Sequence, residues 1–195
     1  MEITVVEGNV TEIETEALVV NLFEGVTAPG GATGGVDSAI GGLITELIDD
    51  GEITGSTSET VLIHTPNTAF PEFKPSRVLV VGLGSEESFD LNVVRRVSAT
   101  VVRKLRQSGV TNAATIVHGA GIGGIDPAAG AQALTEGSLL GSYRFDKYKK
   151  ADPKRRVNIE TLTVIENDST KMSAIYAGVD NDTDNPQAHT TAPDR

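Results

Sequence analysis

Two glycine-rich stretches are the part of this sequence best suited to chemistry. The first runs Gly25-Val26-Thr27-Ala28-Pro29-Gly30-Gly31-Ala32-Thr33-Gly34-Gly35-Val36-Asp37, and the second His118-Gly119-Ala120-Gly121-Ile122-Gly123-Gly124-Ile125-Asp126-Pro127. Residues without a Cβ let the backbone approach a ligand closely and turn its N–H groups inward. Each stretch lies between a strand-like run and a helix-like run, and the first turn of a helix adds partial positive charge. The chemistry this suits is the holding of an anion such as a phosphate, with a ligand-free crossover loop as the alternative use of the same residues. Gly119, Gly121 and Gly124 fit the spacing G-x-G-x-x-G. That fingerprint belongs in a first βαβ unit when it binds a dinucleotide. Here it comes late in the chain, so a nicotinamide site of that type is not expected. Convergence of the two loops into one electropositive hollow is the expectation that matters most.

Side chains for catalysis are scarce. There is no cysteine, hence no thiolate chemistry and no disulfide. The three histidines, His64, His118 and His189, have no ligand partner at i+3 or i+4, which argues against a metal site. His64 and His118 each close a strand-like run, and His118 borders the second glycine loop, where it is the better placed to touch a ligand. No serine sits in a G-x-S-x-G elbow. No pair of carboxylates has the spacing of a two-metal site. Asp37 and Asp126 read as helix-capping or loop-shaping residues before they read as general bases. The chain therefore carries no set of its own for hydrolysis by a metal or a nucleophile.

The elements that must position these loops alternate strand and helix. Strands are expected at Ile3–Val6, Ala17–Asn21, Thr60–His64, Arg77–Gly82, Ala114–His118 and Ile159–Ile165. Runs such as Val78-Leu79-Val80-Val81 are apolar on both faces, as in the middle of a covered sheet. A first helix is expected over about Val36 to Asp50, with Val36, Ile40, Leu43, Ile44, Leu47 and Ile48 on one face and Gly51 as its stop. A second spans about Leu91 to Gln107, capped by Asp90, with Val94, Val97, Val101 and Leu105 inward. A third starts at Asp126-Pro127 and is rich in Ala and Gly, which suits close packing. In sheets of this kind ligands bind beyond the carboxyl ends of the strands.

Composition bounds the rest. The 195 residues suit one domain with a polar tail; 38% are hydrophobic, with five Phe, three Tyr and no Trp, so the core is aliphatic. The formal net charge of −11 disfavours nucleic acid and anionic membranes as partners. Residues 144–156 depart from that balance, with seven basic side chains in thirteen. They read as a solvated helix end and linker, or as a patch for an anion or partner. No apolar run approaches the ~18 residues of a membrane span, and Met1–Val6 does not resemble a signal peptide. A cytoplasmic location is expected. Residues 1–166 are read as the domain and 167–195, rich in Asp, Asn and Thr, as a tail whose last fifteen residues are disordered.

Two resemblances give these residues a context. Gly8-Asn9-Val10-Thr11, Ala17-Leu18-Val19-Val20-Asn21, Gly34-Gly35-Val36-Asp37-Ser38-Ala39-Ile40 and Gly119–Pro127 resemble the G-D-I-T, A-I-V-N, G-G-V-D-x-A-I and late G-x-G-x-x-G motifs of macro domains. Over residues 1–170 the chain also resembles the N-terminal domain of leucyl aminopeptidases, the M17 metallopeptidases. The motifs that carry this are Val81-Gly82-Leu83-Gly84 and Glu136-Gly137-Ser138-Leu139-Leu140-Gly141-Ser142-Tyr143-Arg144-Phe145-Asp146-Lys147-Tyr148-Lys149. Both resemblances imply a three-layer α/β/α macro-domain-like fold around a central mixed, mostly parallel sheet.

By the macro-domain resemblance, Asn9, Val10, Asn21, Gly34, Gly35, Val36, Asp37, Gly119, Gly121, Ile122, Gly123 and Gly124 would hold a ligand such as ADP-ribose. Asn9 stands where macro domains have the aspartate that reads adenine, and Glu24 where they have an asparagine near the distal ribose. The M17 resemblance implies a module that flanks a catalytic domain in a hexamer. The two divalent metals, catalytic lysine and arginine belong to that second domain, whose N-T-D-A-E-G-R motif does not occur in this chain. No cofactor is expected in this chain. Three functions follow: a non-catalytic assembly or regulatory module, an ADP-ribose-type binding domain, or a fragment or subunit of a cytosolic metalloaminopeptidase. The partners to look for are an ADP-ribose-like or other anionic small molecule, further copies of the chain, and an aminopeptidase catalytic partner.

Overall fold

The computed structural model describes residues 1–121, 124–143 and 157–180. Ile122, Gly123, the basic stretch at 144–156 and residues 181–195 lie outside the described residues. Six strands form one sheet: β1 Glu2–Glu7, β2 Ala17–Phe23, β3 Thr60–His64, β4 Arg77–Gly84, β5 Asn112–Thr115 and β6 Thr161–Glu166. Their order is β1-β6-β5-β2-β4-β3. All pairings are parallel except β3 with β4. Helices α1 Gly31–Ala39 and α2 Leu43–Asp49 cover one face, and α3 Leu91–Gln107, α4 Pro127–Ser142 and α5 Ser169–Asp180 cover the other.

The two faces explain why the central strands are apolar throughout. Alternate side chains of a strand point to opposite sides. Leu79 and Val81 of β4 pack beneath α3, while Val78 and Val80 pack beneath α1 and α2. Leu18 and Val20 of β2 do the same beside Ala17 and Val19, and all four are fully buried. A strand buried on both faces cannot alternate polar and apolar residues. The three-layer expectation is met.

The anticipated first helix is two helices. Gly41 and Gly42 adopt φ of 74° and 84°, left-handed values that break the rod. The apolar spacing runs through the break because both halves face the same core, with Val36, Ile40 and Ile44 all buried there. α1 also begins earlier, at Gly31, inside the glycine stretch. α3 and its Asp90 cap are as the sequence implies, with Asp90 Oδ1 accepting from Asn92 N and Val93 N at 2.9 and 2.8 Å. Asp126 caps α4 by accepting from Ala129 N at 3.0 Å, and Pro127 opens the helix. β5 is shorter than expected. Its residues 112–115 fill the slot between β2 and β6, and the chain then leaves the sheet, so Ile116 and Val117 belong to the following loop.

The domain boundary placed at residue 166 needs correction. Ser169–Asp180 forms α5, which buries Met172, Ile175 and Val179 in the α3–α4 core. Tyr176 donates its hydroxyl to Val5 O at 3.1 Å. Polar composition hid an amphipathic helix whose few apolar residues share one face. Small residues bring the three helices of this layer together. A Cβ on Gly137 would lie 2.2 Å from Arg95 O, and one on Gly178 would lie 2.2 Å from Ala128 O.

Candidate functional site: a cavity between the glycine loops

A cavity of about 400 Å³ opens at the carboxyl ends of β1, β6, β5 and β2. The first glycine stretch contributes Pro29 through Thr33 and Gly35, and the second contributes Gly119, Ala120 and Gly121. Gly8, Asn9 and Val10 enter from the end of β1, and Glu166, Asn167 and Lys171 from β6 and α5. Asn21, Leu22 and Phe23 form part of its wall at the end of β2. The two stretches thus meet at one hollow, where the parallel topology puts the strand ends side by side.

Six of the anticipated residues line this cavity: Asn9, Val10, Asn21, Gly35, Gly119 and Gly121. Gly34, Val36, Asp37 and Gly124 do not. Ile122 and Gly123 are not among the described residues. Gly34 is held against the preceding loop, where an added Cβ would lie 2.4 Å from Pro29 O. Val36 is wholly buried in the core beneath α1 and α2. Asp37 turns away to cap α2. Its Oδ1 accepts from Ile44 N at 2.7 Å and Thr45 N at 3.2 Å, and its Oδ2 accepts from Thr45 Oγ1 at 2.6 Å. The capping reading of Asp37 is the one the geometry shows.

The polar groups around the cavity have distinct tasks. Gly30 is the N-cap of α1 and no side chain caps the first turn, so the leading backbone N–H groups have no intrahelical acceptor. Gly31, Ala32 and Thr33, which belong to that first turn, line the cavity. Asn9 is committed to its own turn. Its Oδ1 accepts from Thr11 N and Thr11 Oγ1 at 3.1 and 3.0 Å. Glu166 Oε1 accepts from Asn167 N and Asp168 N at 2.9 and 3.0 Å. Hydrogen bonds from Thr170 hold the Asp168 carboxyl below its usual range, and Lys171 Nζ pairs with Asp168 at 3.5 Å. Glu86, Glu166 and Lys171 are the charged side chains in the described wall. The described side chains therefore do not make the hollow electropositive, and the start of α1 is the element there that carries partial positive charge.

His118 does not line the cavity; it lies beneath it, 1% exposed. Its Nδ1 is 3.1 Å from Asn21 Nδ2. Burial lowers its pKa to about 4, so the ring is neutral at ordinary pH. Gly119, next in the chain, has φ of 79° and packs under Phe89, whose ring an added Cβ would meet at 2.1 Å. Phe89 in turn meets Phe23 edge-on at 5.0 Å. Gly121 is different, because a Cβ there would meet nothing within 4 Å. Glu24 is exposed and outside the cavity wall.

The sequence reading missed Thr33, Phe23, Glu86, Asn167 and Lys171 as wall residues. The strand-end rule could have found Asn167, since it directly follows β6. Lys171 required α5 to be recognised as a helix. Among the described residues no group of three His, Asp or Glu side chains could hold a metal ion, and no helix is long and apolar enough to cross a membrane.

The architecture is a macrodomain-like fold. A macrodomain from Trypanosoma brucei in complex with ADP superposes with a TM-score of 0.66 at 13% identity, covering 91% of this chain and 69% of that one. A tomato leucine aminopeptidase matches over 91% of this chain but 35% of its own, with a TM-score of 0.66 at 15% identity. At these identities the likeness is one of fold. The family follows from sequence. Residues 19–152 match the model of the cytosol aminopeptidase family, N-terminal domain, and the chain belongs to that family. A probable cytosol aminopeptidase of Alkaliphilus metalliredigens is 29% identical over 192 residues, 98% of this chain and 37% of the relative. That of Roseiflexus castenholzii is 32% identical over 166 residues, 85% of this chain and 30% of the relative. The chain thus spans about a third of the length of the curated relatives it matches.

Proposed function

We propose that this chain is a non-catalytic, ligand-holding module that serves an aminopeptidase catalytic domain in an assembly or regulatory role. The ligand is a small anion-bearing molecule held by the two glycine loops. One observation carries this reading: residues of both stretches, including those at the start of α1 where no side chain caps the helix, line a single cavity at the strand ends. Uncapped helix amides complement a phosphate in both geometry and charge. The cavity volume of about 400 Å³ is within the range of small-ligand sites. We place the protein in the cytoplasm, in keeping with the name of its relatives. Any divalent-metal chemistry of the family is assigned to the portion of the relatives that this chain does not span, with a catalytic partner and further copies of the chain as the expected associates.

The same observation favours ADP-ribose or a related nucleotide as the ligand to try first, because a T. brucei structure of this fold was obtained with ADP. The apolar wall of Leu22, Phe23, Val26 and Ile165 would suit a base or sugar face. Calorimetric titration with ADP-ribose should give a saturable heat, and Gly121→Val should abolish it by filling open cavity space without a clash. A flat titration across ADP-ribose, ADP and pyrophosphate removes the ligand reading and leaves the assembly role. With Mn²⁺ or Zn²⁺ and a leucyl substrate, the chain alone should give no turnover; measurable hydrolysis would contradict the non-catalytic assignment.

A further inference from the structure

Asn21 is where the two glycine loops are tied together. Its backbone oxygen accepts from Thr33 Oγ1 at 2.7 Å, joining the end of β2 to the first turn of α1. Its side-chain Nδ2 lies 3.1 Å from Nδ1 of His118, the residue that opens the second loop. An amide NH₂ can only donate, so the ring nitrogen facing it must carry the lone pair. The ring proton then sits on Nε2 and the imidazole is neutral. Fixing Nδ2 also fixes the other end of the amide. Asn21 Oδ1 has no hydrogen-bond partner among the described residues, yet it is not sealed from solvent as Ser58 Oγ is. Asn21 lines the cavity, and Oδ1 is the end of its amide not engaged by His118.

We propose that His118 is a positioning residue that presents Asn21 Oδ1 as a hydrogen-bond acceptor, so that the site takes a hydroxyl-bearing phosphate ester, of the sugar-phosphate class, in preference to a bare anion. This rests on the anion reading given above and adds a second requirement to it. The amides at the start of α1 recognise the charge, and Asn21 recognises a hydroxyl donor beside it. A mobile asparagine could rotate to offer either end and would not discriminate. His118 removes that freedom when its proton is on Nε2, because Nδ1 can then accept but not donate.

The test compares ADP-ribose with inorganic pyrophosphate on the wild-type chain, His118→Leu and His118→Gln. Wild type should bind ADP-ribose more tightly than pyrophosphate. His118→Leu removes the acceptor and frees the amide; ADP-ribose should weaken about tenfold, the value of one hydrogen bond, while pyrophosphate is unchanged. His118→Gln can accept through Oε1 but can also donate through Nε2, so it should restore the preference only in part. Equal loss of both probes in His118→Leu, or loss of neither, overturns the positioning role while leaving the anion site standing. Wild type that binds pyrophosphate as well as ADP-ribose does the same. Wild type that binds neither probe overturns the anion site and this inference with it. A second measurement works on the wild type alone, whether or not the leucine variant folds. Ring ¹⁵N shifts of His118, assigned by its absence in His118→Gln, should report the neutral Nε2–H tautomer from about pH 6 to 8. A charged ring, or a proton on Nδ1, overturns the inference.

Discussion

Single residues in this domain divide between those that shape the loops and those that line the cavity. His118 belongs to the first group and leaves a pH signature. Its folded pKa is lowered from 6.5 to about 4 by burial. Between those values the unfolded chain binds the proton that the folded chain refuses, so stability is present in full above about pH 6.5 and declines as pH falls through the window. The loss approaches on the order of 3 kcal/mol near pH 4. Denaturant titrations at pH 7 and pH 4.5 should show it, and His118→Gln should flatten the difference. Asp37 also shapes the fold. Its carboxylate is buried and accepts three hydrogen bonds from α2. Asp37→Ala should cost about 1–2 kcal/mol, as lost caps do, and should leave the affinity for ADP-ribose unchanged. A large loss of affinity in a folded Asp37→Ala protein would return Asp37 to the ligand. Ser58 is under strain, with φ of 66° and a buried Oγ that has no partner. Ser58→Gly should raise thermal stability by up to about 1 kcal/mol.

Elements show the same division. α1 is a short helix built of glycine and small residues, a poor composition for a helix on its own. Gly35 lines the cavity with open space at its Cβ position. Gly35→Ala should therefore stabilise the domain by about 1 kcal/mol through helix propensity while weakening ligand binding, opposite signs that a purely structural glycine would not give. Gly137 is the counter-case, because its Cβ would strike the Arg95 backbone of α3. Gly137→Ala should destabilise by about 1–3 kcal/mol despite its better propensity. Much of the element pattern was legible in the sequence, because apolar spacing and capping residues are local signals. Asp90 and Asp126 marked the starts of α3 and α4 to the residue. The break at Gly41-Gly42 was not legible, since both half-helices press the same core and keep one spacing. α5 was hidden for a related reason: three well-spaced apolar residues suffice once α3 and α4 supply the surface they cover. The site was legible only as far as glycine spacing goes. The wall side chains come from strand ends that are adjacent in space but far apart in the chain.

At the scale of the whole molecule, the parallel sheet is what turns two distant glycine runs into one place. β2 and β5 are neighbours, although about ninety residues separate the stretches that follow them. The formal charge of −11 makes the cavity's backbone amides a local exception on an acidic protein. Screening should therefore act on a ligand's approach, with added salt weakening the general repulsion of an anion. Amide shift mapping during a titration with ADP-ribose addresses the central claim most directly, because it reads both loops in one experiment. The amides of Gly31, Ala32 and Gly35 should move together with those of Gly119 and Gly121, along one saturation curve. Shifts confined to one loop, or to residues away from the strand ends, would contradict a shared site.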